Sequence, residues 1–381
     1  MLKRKLASFK KYPIIILFFV FLLGFSVLDA LWPKRAESEL ENRPLAQYPA
    51  LSVRDVLSNQ WMVDYEKYVK DQFVFRDEWI NLKSRSEGML LKTENNGVLL
   101  GKDHYLFKKL LSINEKGLEK NLTALEHCAA RHPEQIDVMI VPSASAVLQN
   151  KLPFDAPMAD ENAALDMIFK RLSVNANIYD VRDTLRADTE EQLYYRTDHH
   201  WTNAGAYAAY TQYAAANNLP PFDTAAYPLK EIPDFYGTNY SRARNYNVVP
   251  DVITYYDVPQ NLTVFQRNAD GSSTQTDGSF YDVQKFETRD KYAAFLRGNN
   301  AYSEITGSGS GNLLVVKDSY ANSFVPYLVD DYAKIGIVDF RSNTDKLDAI
   351  MAQGGYDKVL FLYSFSTFCD DGFFASRIAS A

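Results

Sequence analysis

Asp198 and His200 stand two residues apart in the stretch Tyr194-Tyr195-Arg196-Thr197-Asp198-His199-His200-Trp201-Thr202-Asn203-Ala204-Gly205, which holds two of the chain's five histidines in front of an alanine-rich run. An imidazole beside a carboxylate can be held in one tautomer and used as a general base, provided a nucleophile reaches its other nitrogen. Ser319 is the nucleophile on offer. It follows Asn312-Leu313-Leu314-Val315-Val316-Lys317-Asp318, an apolar run that predicts a buried strand feeding a turn with a serine at its tip. Serine is a poor nucleophile until a base takes its proton, and histidine has the near-neutral pKa that this needs. The chemistry of such a set is acyl transfer through an acyl-serine. Each residue also has a plainer reading: Asp198 as a cap for the helix after Thr202, His200 as a packed ring, Ser319 as a turn hydroxyl. His199 faces either substrate or solvent, and Trp201 is expected in the core or as a pocket wall.

Two rival chemistries use the same stretch. Asp198, His199 and His200 are possible metal ligands, but adjacent residues seldom point at one ion and a catalytic zinc needs a donor from elsewhere, so no metal and no other cofactor is expected. Lys317 and Ser319 would share a strand face if the strand ran that far, which allows a Ser-Lys pair. An ion pair at the sheet edge is the expected role of Lys317.

The elements that must position these residues alternate. A helix opening at the capping box Ser112-Ile113-Asn114-Glu115 is predicted to run to about His132, followed by a strand at Ile136-Val141 that ends in Pro142-Ser143-Ala144-Ser145. A helix over 161–172, strands at 177–181, 313–316, 335–340 and 359–363, and a helix over 344–352 closed by Gly354-Gly355 complete the pattern. Continuously apolar strands alternating with helices predict an α/β domain with a parallel sheet covered on both faces. Ligands in such sheets bind beyond the carboxyl ends of the strands, where Ser143, Ser145 and Ser319 would lie. Residues 218–311 are less regular and read as a β-rich insertion on the sheet's rim. The resulting organisation is an anchor over 1–33, a stalk and helical region over 34–110 that packs on the core, and the α/β domain over 111–381.

Length and charge bound the partners. With 381 residues, 46% of them hydrophobic, the chain can bury a sizeable core, and a net charge of −7 argues against nucleic acid. Aromatic residues make up 14%, which suits a sugar-facing surface as well as a large core. Lys3, Arg4, Lys5, Lys10 and Lys11 precede an apolar run from Tyr12 to Trp32, long enough to cross a bilayer. No good cleavage site follows, so an uncleaved signal anchor is expected, with the start in the cytoplasm and everything after Pro33 outside the cell membrane. Cys128 and Cys369 are too few for a disulfide framework; they either pair or remain buried thiols.

Three motifs carry a resemblance: Thr197-Asp198-His199-His200-Trp201-Thr202, Tyr236-Gly237-Thr238-Asn239-Tyr240-Ser241 and Lys317-Asp318-Ser319-Tyr320-Ala321-Asn322-Ser323. They resemble the DHHW family of Gram-positive bacteria, which is similar to the alginate-acetylation proteins AlgJ and AlgX with their SGNH-hydrolase-like domain. The resemblance implies Ser319 as nucleophile, His200 as base and Asp198 as the residue orienting it. It leaves Asn322 and the Tyr320 backbone N–H as oxyanion candidates. Ordinary SGNH hydrolases place Ser first, use Asp-x-x-His and have Gly where Lys317 stands; this chain departs on all three counts. The implied activity is O-acetyl transfer to an extracellular polysaccharide, with a membrane-bound O-acyltransferase as partner and acetyl donor. A carbohydrate esterase with the same residues, and a catalytically silent polymer-binding protein of the envelope, remain alternatives.

Overall fold

The computed structural model describes the chain apart from residues 1–11, 39, 42, 188–190, 244–247, 268–272 and 380–381. It divides into two compact units, Met1–Leu91 and Lys92–Ala381.

The first unit begins with α1 (Pro13–Leu31), whose proline sits at the first helical turn, where its missing N–H costs nothing. Its 19 residues, about 28 Å at 1.5 Å per residue, match the hydrocarbon thickness of a bilayer, and among the described residues it is the one helix long and apolar enough to cross. The basic residues expected to orient it, Lys3 to Lys11, lie outside the described residues. Glu37–Ser38 pairs antiparallel with Arg43–Pro44. That ribbon is pinned to α2 (Gln60–Gln72) by Arg43, whose two terminal nitrogens lie 2.9 and 2.6 Å from the Asp71 carboxylate, and Arg43 in turn holds the Asp71 pKa down to about 2. A further helix, α3 (Arg76–Met89), follows.

In the second unit α4 (Glu115–Arg131) leads to β1 (Ile136–Val141), α5 (Glu161–Leu172), β2 (Asn177–Ile178) and α6 (Asn203–Ala216). Then come β3 (Asn261–Arg267), β4 (Ser273–Ser279), β5 (Tyr302–Thr306), β6 (Asn312–Lys317), β7 (Lys334–Val338), α7 (Leu347–Gly354) and β8 (Lys358–Ser364). These eight strands form one sheet in the order β4-β3-β5-β7-β6-β8-β1-β2. The five strands from β7 to β2 are mutually parallel, as the alternation predicts, and helices cover both faces. Alternation within β6 explains the two cores. Leu313 and Val315 join the layer under α6 with Ala209 and Tyr213, while Leu314 and Val316 join the opposite layer with Leu122 and Leu125 of α4 and Ile168 of α5.

The insertion does more than decorate the rim. Three of its strands, β5, β3 and β4, continue the sheet antiparallel beyond β7, so the sheet is mixed. Elsewhere in the insertion Leu229–Phe235 pairs antiparallel with Asp251–Tyr256. Two helix starts also differ from expectation. Asn114, not Ser112, caps α4, its side-chain oxygen accepting from the Gly117 N–H at 3.0 Å. Helix α7 begins at Leu347 rather than Thr344, because Asn343 folds the preceding residues into a turn by accepting from the Asp345 N–H at 2.7 Å. Gly355 ends it in the left-handed region at φ +63°. Cys128 and Cys369 are free and buried, their thiols pushed up to about 12 by burial.

Candidate active site

Ser319 follows the carboxyl end of β6, near the middle of the sheet, where the chain turns into a short 3-10 helix over Ser319–Ser323. Asp318 fixes that turn. Its Oδ1 accepts from the Tyr320 N–H at 2.9 Å, and its Oδ2 accepts from the N–H and hydroxyl of Ser364 at the end of β8, at 2.9 and 2.6 Å. Two neighbouring strands thus lock the serine's position.

The histidine loop is built differently. Tyr194 bridges Trp201, Tyr195 N–H reaches the His200 carbonyl at 3.2 Å, and Thr202 caps α6 by accepting from the Gly205 N–H at 3.1 Å. The buried carboxylate of Asp251 gathers the other side of the loop, accepting from the N–H groups of Arg196 and Thr197 at 2.9 and 2.8 Å and from the Thr197 hydroxyl at 2.6 Å. Trp201 clamps the loop onto the serine turn by donating to the Tyr320 carbonyl and the Ser323 hydroxyl, both at 3.0 Å.

These supports bring together the three residues singled out first. Asp198 Oδ1 lies 2.5 Å from His200 Nδ1, and His200 Nε2 lies 2.7 Å from Ser319 Oγ. Asp198 and His200 are 2% and 5% exposed, whereas Ser319 is half-buried. Burial alone would raise the Asp198 pKa, but the adjacent His199 and His200, the hydrogen bond from His200 and the Thr238 N–H together hold it well below the usual carboxylate range. An ionised Asp198 takes the proton on Nδ1 as its donor, which leaves the lone pair of Nε2 directed at the serine hydroxyl.

Two supports had no role in the sequence reading. Thr238 donates to Asp198 Oδ2 from its N–H at 2.7 Å and its hydroxyl at 3.0 Å. The Tyr292 ring lies parallel to the His200 ring at 3.9 Å, and its hydroxyl donates to the Ser319 carbonyl at 3.1 Å. Thr238 lies within the Tyr236–Ser241 motif, so its importance had a signal, though not its partner. Tyr292 and Asp251 had none, because their contacts depend on how the insertion folds back.

Lys317 overturns its expected role. It lies on a central strand, is 1% exposed, and its Nζ donates to the side-chain oxygens of Asn299 and Asn322 at 2.8 and 2.7 Å, with no salt bridge among the described residues. Burial pushes its pKa down to about 8. The oxyanion candidates are also engaged: the Tyr320 N–H donates to Asp318, and the Asn322 amide donates to Asn299 at 3.2 Å. The nearest ligand atoms of Asp198, His199 and His200 do lie within 4.8 Å of one another. At 2.5 Å, however, Asp198 Oδ1 and His200 Nδ1 share a proton and leave no space for an ion between them.

Residues 101–338 match the sequence model of the family described as "DHHW protein". The chain belongs to the DHHW family. A curated relative, "Probable alginate O-acetylase AlgJ" of Pseudomonas syringae pv. tomato, is 25% identical over 211 residues, 53% of this chain; the chain spans about half the length of that relative, 52%. Among solved structures, a DHHW family protein from Eubacterium siraeum superposes with a TM-score of 0.64 at 24% identity, covering 76% of this chain and 98% of that one. Bacillus cereus PatB1, solved with a sulfonyl adduct, gives 0.61 at 18% identity over 74% and 98%. Both likenesses concern the fold.

The four letters of the DHHW signature, residues 198–201, have four distinct surroundings. Asp198 meets His200 and Thr238, His200 meets Ser319, and Trp201 ties the loop to the serine turn. The His199 ring lies against His200 with ring centres 3.8 Å apart and the planes tilted by 38°. Because the Thr238 hydroxyl donates to Asp198, His199 Nδ1 must be the donor in its 2.7 Å contact with that hydroxyl, which leaves Nε2 as an acceptor. Tyr320 donates its hydroxyl to the His199 carbonyl. His199, Tyr320 and Thr238 line a cleft of about 330 Å³ together with Ser143, Ser145 and Glu161. Glu161 Oε1 and Oε2 accept from the N–H and hydroxyl of Ser143, both at 2.6 Å, and burial pushes the Glu161 pKa up to about 7.

Proposed function

We propose that this DHHW protein is an extracytoplasmic O-acetyltransferase, anchored by α1, that carries an acetyl group on Ser319 from a donor to a hydroxyl of a cell-surface or secreted polysaccharide. The observation that carries the reading is the unbroken line Asp198, His200, Ser319 at 2.5 and 2.7 Å. In the first half-reaction Ser319 Oγ bonds to the acetyl carbonyl carbon while His200 Nε2 takes the hydroxyl proton. The tetrahedral adduct collapses, the bond to the donor's oxygen breaks, and that oxygen leaves with the proton from His200. In the second half an acceptor hydroxyl gives its proton to His200, bonds to the acetyl carbon, and Ser319 departs with that proton. Asp198 remains ionised throughout and stabilises the imidazolium at each stage.

The alginate O-acetylase description of the curated relative supports a sugar hydroxyl as acceptor. The cleft beside His199 and Tyr320, rich in hydroxyls and backed by Glu161, offers the hydrogen-bonding surface that a saccharide needs. The donor is expected to be a membrane-bound O-acyltransferase. A test is to supply an activated acetyl ester with and without polysaccharide and to follow polymer-bound acetyl. The reading predicts acetylated polymer with the wild type and none with Ser319→Ala. Release of acetate at a rate that no polysaccharide alters would make the protein an esterase.

A further inference from the structure

The first unit uses the end of its own apolar helix as a packing partner. Phe25 of α1 has its ring 6.4 Å from Phe73, nearly parallel, and 6.0 Å from Trp79; Trp32 lies 4.6 Å from Phe75. The Asp29 carboxylate accepts from the N–H of the fully buried Val74 at 3.0 Å, and Lys34 Nζ donates to the Asp29 carbonyl at 2.9 Å. Phe25 lies six residues before the end of α1, about 9 Å inside it along the axis. The rings that touch it are therefore held level with the last turns of the apolar segment rather than beyond them.

Those rings are not covered. Phe73, Phe75, Trp79 and Leu82 are 39, 36, 41 and 55% exposed. At about 100° per residue, Trp79, Leu82 and Met89 fall within an arc of roughly 80° on α3, and Phe75 precedes the helix at its N-cap. In water such a patch would be a liability, whereas aromatic side chains are favoured where acyl chains meet headgroups.

We infer that Phe73, Phe75, Trp79 and Leu82 dock into the outer interfacial layer of the lipid bilayer, giving the unit a second membrane contact beside α1. The occupant is lipid because the depth of these rings is set by a helix that itself lies in lipid. The inference rests on α1 being a retained span and is independent of the acyl-transfer reading.

The test uses the full chain in phosphatidylcholine vesicles, with its intact mass checked. Phe75→Cys, Trp79→Cys and Leu82→Cys, with Glu66→Cys as a water-facing control, are labelled with a polarity-sensitive fluorophore against an unlabelled wild-type background. Positions 75, 79 and 82 should emit to the blue of position 66, be quenched by nitroxide-bearing lipid and resist aqueous iodide. The unsubstituted chain should lose tryptophan emission to brominated lipid, and Trp79→Phe should remove part of that loss, which keeps the test valid if a cysteine variant misfolds. Iodide quenching equal to that at position 66 would overturn the inference. So would protection from both quenchers, which would assign the patch to a protein partner or a second copy. A mature chain cleaved before Pro33 would remove the anchor and this inference with it, while failure of acetyl transfer would leave it standing.

Discussion

Gly237 stands so close to Asp198 that a Cβ on the glycine would lie 2.2 Å from the aspartate Cβ and 2.3 Å from its Oδ2. The absence of a side chain there lets the next residue, Thr238, bring its N–H to 2.7 Å from the carboxylate. Gly237→Ala should push Asp198 off His200 and lower turnover of an acetyl ester by on the order of a hundredfold, the cost of misplacing a reacting group by about 1 Å. Steady-state kinetics checks this: the loss should fall on kcat rather than KM.

Thr238 offers a finer probe of the same support. Thr238→Val keeps the backbone donor but removes the hydroxyl that bonds Asp198 Oδ2 and His199 Nδ1. A loss of roughly tenfold in kcat is expected, about 1.4 kcal/mol for one hydrogen bond to a charged group. Thr238→Ser should restore most of it, whereas a serine variant as impaired as valine would mean that the hydroxyl alone does not carry the effect.

Glu161 makes a prediction about pH and stability. Its folded pKa of about 7 lies above the ordinary carboxylate value, so the folded state binds the extra proton between the two. Stability therefore falls as pH rises through that window, by up to about 3 kcal/mol if the full shift is expressed. Glu161→Gln should flatten the decline between pH 5 and pH 7 on a scale of about that size, as read from urea unfolding midpoints. An unchanged pH profile would place the origin of any decline elsewhere.

Metal chemistry at the signature has a direct check. Elemental analysis of the purified chain should find no stoichiometric zinc or manganese. One equivalent lost in His200→Ala would replace the proton path between Asp198 and Ser319 with metal-assisted chemistry at the same residues.

Much of this site was legible from residue types. The apolar run of β6 ending in Asp-Ser marks a strand and its tip, because a strand buried on both faces has no polar alternation. Likewise, the Asp-x-His spacing marks a carboxylate that can fold back on its own loop, as Oδ1 does on both the N–H and Nδ1 of His200. What stayed hidden depends on chain reversals over long separations. Tyr292 and Asp251 both come from the insertion, and neither has a local pattern that announces a partner more than 50 residues away. The three antiparallel strands of the insertion were read as rim for the same reason: alternating pieces indicate strands, while their joining the sheet through the pairing of β5 with β7 is a tertiary choice. Lys317 misled because its charge implies an edge, yet two asparagine oxygens satisfy its ammonium inside the sheet.

The central claim is a covalent acetyl group on Ser319, and the most direct measurement is mass spectrometry of the peptide containing it after brief exposure to an activated acetyl ester. The account predicts one added acetyl mass on that peptide. It predicts none in Ser319→Ala, little in His200→Ala, and faster loss of the adduct when acceptor polysaccharide is added. Wild-type ester turnover in Ser319→Ala, with the acetyl mass absent from the wild-type peptide, would contradict it.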